Sequence, residues 1–489
     1  MQPPLRPVLK LLTDSLVGEI LDEAFEVLER VGVFFEGREA PAILAGAGAR
    51  FNSATQRVFM PRDIVERALA TAPHAFSMYD VPGDTEFPVS GDTIHFDPGS
   101  AALRIFDFGT QAEREATTGD LVAFHRLTQR LDHFHFQSTG LISSDIPQVA
   151  ADAYRLFLAL LFCSKPVVTG TFTVDGFRPM LDMLSAVRGG ADALRRKPLA
   201  IFDACPSPPL RWSALTSQSI IDCARAGIPC ELVAMPLTGA TAPVTLTGAL
   251  VQHAAENLAG IILSQATAPG APVVFGGSPA AFDMKSGSPP MGAMETMMID
   301  SAAAQIGKAL GVPTHAYVGL SDSKCLDAQA GLETGIGAVL GALSGINVIS
   351  GGGMIDYETT QSLEKLVLDD EVCALAYRLV RGIEQREEPM ALALLEEIQE
   401  GADFITHEHT RKWYRLEHSI PSIIDRGNAQ QWMAEGKPTI AERASWRVSE
   451  LLSAPAVPLV SDEVEGELRS VMESYAKKCG FREIPKYTW

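Results

Sequence analysis

The segment GLSDSKCLDAQAGLETG collects Asp322, Lys324, Asp327, Gln329 and Glu333 directly behind an apolar run that carries His315 and Tyr317. Carboxylates, an ammonium, an amide and ring faces in one stretch can recognise a charged small molecule and hold it for reaction. Other apolar runs end in comparable groups: Phe96-Asp97 before Pro98-Gly99-Ser100, Thr171-Phe172, Asp203, and Gly351-Gly352-Gly353 with Tyr357 and Glu358 behind it. Two more end in small residues, Ser138-Thr139 and Gly276-Gly277-Ser278. Such ends keep a mouth open for a bulky partner or cofactor, or simply turn a tight backbone corner. PLTGATAPVTLTG, ahead of a helix, offers a helix N-terminus to an anion but matches no phosphate-loop pattern.

Metal chemistry finds little support. His133 and His135 share one face of a predicted strand, at its N-terminal end, and His407 and His409 lie far downstream. Neither pair has a third ligand at recognisable spacing, so no metal is expected in this chain. No nucleophile elbow and no dinucleotide fingerprint occurs.

The elements that must position these groups recur with a rhythm. Eight short apolar segments, at 93–97, 133–139, 166–172, 199–203, 230–235, 272–277, 313–318 and 346–350, start roughly 30 to 42 residues apart. Helical stretches such as VAADAYRLFLALLF and LTGALVQHAAENLAGIILSQA separate them. Near-continuous runs such as PVVTGTF and PVVFGG suit parallel strands covered on both faces. The expected fold is α/β, a (β/α)8 TIM barrel with N-terminal and C-terminal helical extensions. The expected division is 1–90 for the N-terminal helical extension, 91–360 for the barrel core, and 361–489 for the last barrel helix and a helical tail. Barrels of this kind carry their chemistry at the C-terminal ends of the strands.

The chain has 489 residues, a net charge of −20 and 46% hydrophobic residues. That charge argues against nucleic acid, which needs clustered Lys and Arg. The seven cysteines form no CxxC pair, and neither a signal-peptide core nor a membrane span is present. The expected location is cytoplasmic.

Longer stretches carry a resemblance. LTGATAPVTLTGALVQHAAENLAGIILSQATAPGAPVVFGG and DSAAAQIGKALGVPTHAYVGLSDSKCLDAQAGLE, with VLERVGVFFEGREA, FDPGSAALRIFD, the SSDIP turn and HEHTRKWYRLEHSIPSIIDR, resemble the trimethylamine methyltransferase family over nearly the whole chain. The resemblance implies a (β/α)8 fold and transfer of an N-methyl group to the Co(I) of a corrinoid (cobalamin) carried by a partner protein. One branch of that family carries pyrrolysine and acts on trimethylamine; the other includes enzymes of glycine betaine and related quaternary amines. In the stretch DAQAGLETG this chain has only standard residues, Leu332 among them, which places it with the non-pyrrolysine branch.

Position then suggests roles. A quaternary ammonium leaves as a neutral amine and needs no general acid, so the task is desolvation and alignment. Phe96, Phe172, Tyr317 and Tyr357 are candidates for an aromatic cage. Asp97 and Glu333, with Gln329 beside them, are placed to act at the ammonium, and His315 or Lys324 to pair with a betaine carboxylate. Gly276, Gly277, Ser278, Gly351 and Gly352 would form a rim down which a corrin ring descends. A homo-oligomer is expected. Three alternatives stay open: the same chemistry on carnitine, proline betaine or a sulfonium compound; a binding or sensing barrel without turnover; and a zinc-dependent methyltransferase.

Overall fold

Apolar runs bounded by Gly and Pro settle as short parallel strands, and amphipathic stretches between them pack as helices. The computed structural model describes residues 4–398, 403–481 and 483–487. The strands are β1 (His95–Pro98), β2 (Gln137–Ser138), β3 (Val167–Gly170), β4 (Ala200–Ala204), β5 (Cys230–Ala234), β6 (Val273–Gly277), β7 (His315–Tyr317) and β8 (Val348–Gly352). Each falls within or overlaps one of the eight predicted segments. They form a five-stranded parallel sheet in the order β6-β5-β4-β3-β2 and a three-stranded parallel sheet in the order β7-β8-β1. Parallel bridges connect the two sheets at both flanks, Phe96 with Phe134 and Phe275 with Thr314. The fold is α/β.

Alternation along the strands separates the layers. Phe136, Val168, Ile201 and Val348 cluster with Met78 and Val89 of a hairpin, Ala75–Tyr79 with Glu86–Ser90, and make an apolar plug where the strands begin. Two residues further on, the same faces carry Ser138, Gly170, Asp203 and Ser350, so a polar tier lies above the plug. The outward faces pack on helices. The helix Ala151–Phe162 is buried along its whole length, and Leu246–Thr267 lies beneath the N-terminal helices Asp14–Glu26 and Arg62–Thr71.

The N-terminal extension is not helical throughout. Val33–Phe35, Arg50–Asn52 and Arg57–Phe59 form a sheet with Arg211–Trp212 from the loop after β4. Three-residue strands are too short to give a readable alternation, so only the helices were legible. Pro61, in an extended conformation, immediately precedes the helix Arg62–Thr71.

Small sheets pin the loops at the C-terminal ends of the strands. The hairpin Arg104–Asp107 with Ala112–Glu115, after β1, pairs with Thr360–Gln361 from the loop after β8. Leu237–Thr238 pairs with Ala280–Ala281, tying the loops after β5 and β6. The C-terminal helices Ile440–Ser453 and Asp462–Lys478 pack on Leu363–Val380 and Phe177–Arg188. No helix among the described residues is long and apolar enough to cross a membrane.

Candidate active site

The polar tier converges on His315. Ser350 Oγ donates to Asp97 Oδ1 at 2.6 Å, and the same hydroxyl lies 3.0 Å from His315 Nε2. With its proton committed to Asp97, the serine oxygen accepts from Nε2–H, which leaves Nδ1 bare. Nδ1 faces Glu231 Oε1 at 2.8 Å, without the alignment of a hydrogen bond. A bare nitrogen at that distance calls for a protonated carboxyl, and burial pushes Glu231 well above the usual carboxylate range. Burial also lowers His315 to about 4, so the ring is neutral. Register sets Asp203 opposite Glu231. Asp203 and Asp97 are both raised, first by burial and then by these neighbouring acids.

Tyr317, two residues beyond His315 on the same face, stands edge-on to its ring at 5.0 Å. Glu358 approaches from the loop after β8. The residue is half-buried, its Oε1 is sheltered and unpartnered, and burial with Asp322 and Asp203 nearby raises it to about 8. The backbone that aims it is unusual: Asp356, Tyr357 and Glu358 have φ of 50°, 54° and 69°. Non-glycine residues hold such angles at a cost of about 1–3 kcal/mol each, and only where the surroundings over-determine them. Here Asp356 N–H donates to Ser323 O at 2.9 Å and Thr359 N–H to Asp356 O at 3.1 Å. Strain of this kind concentrates where a side chain must be aimed.

Four carboxyl groups thus surround one tyrosine and one neutral histidine. A family model described as trimethylamine methyltransferase matches residues 4–480. The chain belongs to that family. It is 30% identical to a trimethylamine methyltransferase of Desulfitobacterium hafniense over 96% of this chain and 94% of that one. It is 28% identical to a glycine betaine methyltransferase of the same species over 97% of this chain and 99% of that one. A crystal structure of the Methanosarcina barkeri monomethylamine methyltransferase aligns over 95% of this chain and 92% of that chain, at 12% identity and a TM-score of 0.49.

Against this family background, the structure sorts the expected residues. Asp97, His315 and Tyr317 come together in the interior. Phe96 does not: alternation turns it outward, where its ring meets Tyr377 edge-on at 5.4 Å. Phe172 lies beneath the Arg155 guanidinium, 4.4 Å away, and Tyr357 beneath the Lys324 ammonium, 4.1 Å away. Both rings therefore already face a cation of this chain. Lys324 also donates to Asp322 O at 2.6 Å and lies 3.5 Å from Asp356. Glu333 accepts from Ser321 Oγ at 2.6 Å, from Asp322 N–H at 2.8 Å and from Gln329 at 2.9 Å. Lys324 within the loop after β7, and Glu333 and Gln329 on the helix Ala328–Ser344 behind it, brace that loop and are not part of the interior cluster. Asp322 in turn accepts from Met291 and Gly292 N–H, both at 2.9 Å.

The glycines of the expected corrin rim are closely packed by the chain itself. A Cβ at Gly276 would meet His315 Nδ1 at 2.9 Å, so this glycine gives the histidine its room. A Cβ at Gly277 would fall on Ala234 O and His253, one at Gly351 on Leu320, and one at Gly352 on the Phe134 ring. Ser278 is fully buried beside Met291. The histidine pairs are engaged elsewhere. His133 bonds Asp370 at 2.9 Å, His135 meets His95 and Tyr377 at 3.0 Å each, and His407 Nδ1 accepts from His409 N–H. Sequence reasoning missed Glu231, Ser350 and Arg155. Glu231 had a signal, an acid inside the apolar run CELVA; Arg155 had one too, a charge inside YRLFLALLF.

Proposed function

We propose that this protein binds a quaternary ammonium, glycine betaine first among the candidates, and presents one methyl group to the Co(I) of a corrinoid carried by a separate protein. The observation that carries the reading is the carboxyl excess: Asp97, Asp203, Glu231 and Glu358 surround Tyr317 with no ammonium among them. With Asp97 held by Ser350 and Glu231 turned to His315, Asp203 and Glu358 are left to face a permanent cation, and an aromatic face beside it adds attraction that needs no proton. Family membership and the likeness to a glycine betaine methyltransferase support it.

The corrinoid supplies the methyl acceptor when its carrier docks. This chain's part is to strip water from the cation and fix its orientation. Asp203 and Glu358 neutralise its charge. Glu231, His315, Ser350 and Asp97 brace the floor, and Tyr317 covers one face. The corrinoid is assigned to the partner protein, a reading that family membership supports. We also read the two sheets as one closed (β/α)8 barrel spanning 91–360, supported by the bridges at both flanks. A homo-oligomer is supported by the helices Leu392–Glu397, Glu408–Glu417 and Ala429–Ala434, which bury no residue, and by exposed Ile383, Met390, Ile405 and Ile420.

The test is methylation of free Co(I) cobalamin by the purified protein under anaerobic reduction, with a panel of quaternary and tertiary amines. Methylcobalamin from one betaine is the expected result. Ligand binding with no turnover, even when the cognate corrinoid protein is supplied, would favour the sensing alternative. Tyr317→Ala is expected to raise the ligand's Kd at least about threefold, from the loss of a cation–π contact. Tyr317→Phe should leave it within about twofold. Equal effects of both changes, read by calorimetry, would remove the ring face from the site.

A further inference from the structure

Arg155 reaches the mouth of the same interior from the helix Ala151–Phe162. It is 1% exposed, yet it forms no ion pair among the described residues. Its Nη1 donates to Thr139 O at 3.2 Å, and its plane lies over Phe172. Its Nε is buried without a partner. The nearby acid Asp152 is committed to the backbone, Oδ2 accepting from Phe172 N–H at 2.9 Å and Oδ1 from Ala153 N–H at 2.8 Å. Asp152 and Asp203 act on this guanidinium only from a distance, with no ion pair formed and the Nε left unpartnered, so the fork keeps a donor for an anion that arrives later. Its planar fork matches a carboxylate.

The surroundings are dipolar. Asp203, on β4, stands within electrostatic reach of Arg155 on one side and of Glu231 and His315 on the other. Asp97 lies on β1, Glu231 on β5 and Glu358 in the loop after β8, while Arg155, the one buried arginine among the described residues, lies towards β2 and β3. The residues first expected to hold an anionic end are spoken for: His315 by Ser350 and Glu231, Lys324 by Asp322, Asp356 and Tyr357.

We propose that Arg155 holds the anionic end of the methyl donor and so selects zwitterionic betaines over plain quaternary ammonium ions. This inference rests on the cation-binding reading above. The test is calorimetric titration of the purified protein with glycine betaine, its neutral amide and tetramethylammonium. Wild type is expected to bind glycine betaine at least about tenfold more tightly than the amide. In Arg155→Met that preference should fall to within about twofold, while tetramethylammonium binds within about threefold of wild type. Arg155→Lys should restore part of the preference. Equal binding of betaine and amide by wild type, or a preference that survives Arg155→Met, would overturn the assignment. The wild-type comparison decides even if the Met variant fails to fold. If wild type binds none of the three ligands, the cation reading itself falls; if it binds the cations without preference, only Arg155's role falls.

Discussion

Lys365→Met is expected to destabilise the protein by about 3–5 kcal/mol, the usual cost of leaving one member of a buried ion pair alone. Lys365 and Asp369 are both fully buried, with Nζ and Oδ2 2.5 Å apart. The ammonium also donates to Thr334 Oγ1 at 2.8 Å, and the carboxylate accepts Gly353 N–H at 2.7 Å. The pair therefore ties two helices to the loop that carries Tyr357 and Glu358. Burial already raises Asp369, and Lys365 opposes that rise. Without the ammonium, the folded carboxyl keeps its proton across neutral pH, whereas the unfolded one ionises near about pH 4. The variant's stability should thus fall as pH rises above about 4, and its deficit against wild type should be larger at pH 8 than at pH 5. Urea unfolding at the two pH values measures this. Lys365→Met with Asp369→Asn, which keeps an acceptor for Gly353, should recover most of the loss. A single variant within about 1 kcal/mol of wild type would show that the pair is not what holds the loop.

The strands were legible because each is an apolar run between Gly or Pro breaks, and that pattern survives in one sequence. The site was legible only where side chains follow strand alternation. Asp97, His315 and Tyr317 follow it, and Phe96 was misplaced because a strand end was read without asking which face its parity gives. Glu333 and Gln329 looked catalytic from their density, yet a polar loop above a strand must first satisfy its own backbone. Glu333 does so for Ser321 and Asp322. The strand-end glycines were read as open space. A glycine leaves a vacancy only if no neighbour fills it, and His315 and Phe134 fill those at Gly276 and Gly352. The charge of Arg155 inside its apolar helix was visible, but its place was not, because a helix says nothing about a strand end 16 residues earlier in the chain, at Thr139, until the fold closes.

Glu358→Gln should make the protein more stable and a worse binder at once, and both effects should grow with pH. In the free protein burial, with Asp322 and Asp203 nearby, raises this carboxyl to about 8, while in the unfolded chain it ionises near about 4.3. Between those values the unfolded state gives up its proton first, so wild-type stability falls as pH rises through this window. The glutamine variant lacks that loss, and its melting temperature should pull ahead of wild type from pH 5 to pH 8. Binding runs the other way. A quaternary ammonium favours the ionised carboxylate, and a charge contact out of water contributes about 1.5–3 kcal/mol, at least tenfold in affinity. Wild-type affinity should therefore climb roughly tenfold in all between about pH 6 and pH 9, about threefold of it between pH 7 and pH 8, with up to about half a proton released on binding near pH 7.5. At pH 6 the wild-type carboxyl is protonated like the amide, and the two proteins should bind alike; at pH 9 the variant should be about tenfold weaker. Calorimetry in buffers of different ionisation enthalpy reads affinity and proton release together. A variant that binds as well as wild type at pH 9 would take Glu358 out of the cation site. One that gains no stability with pH would show that the carboxyl is not confined by its acidic neighbours.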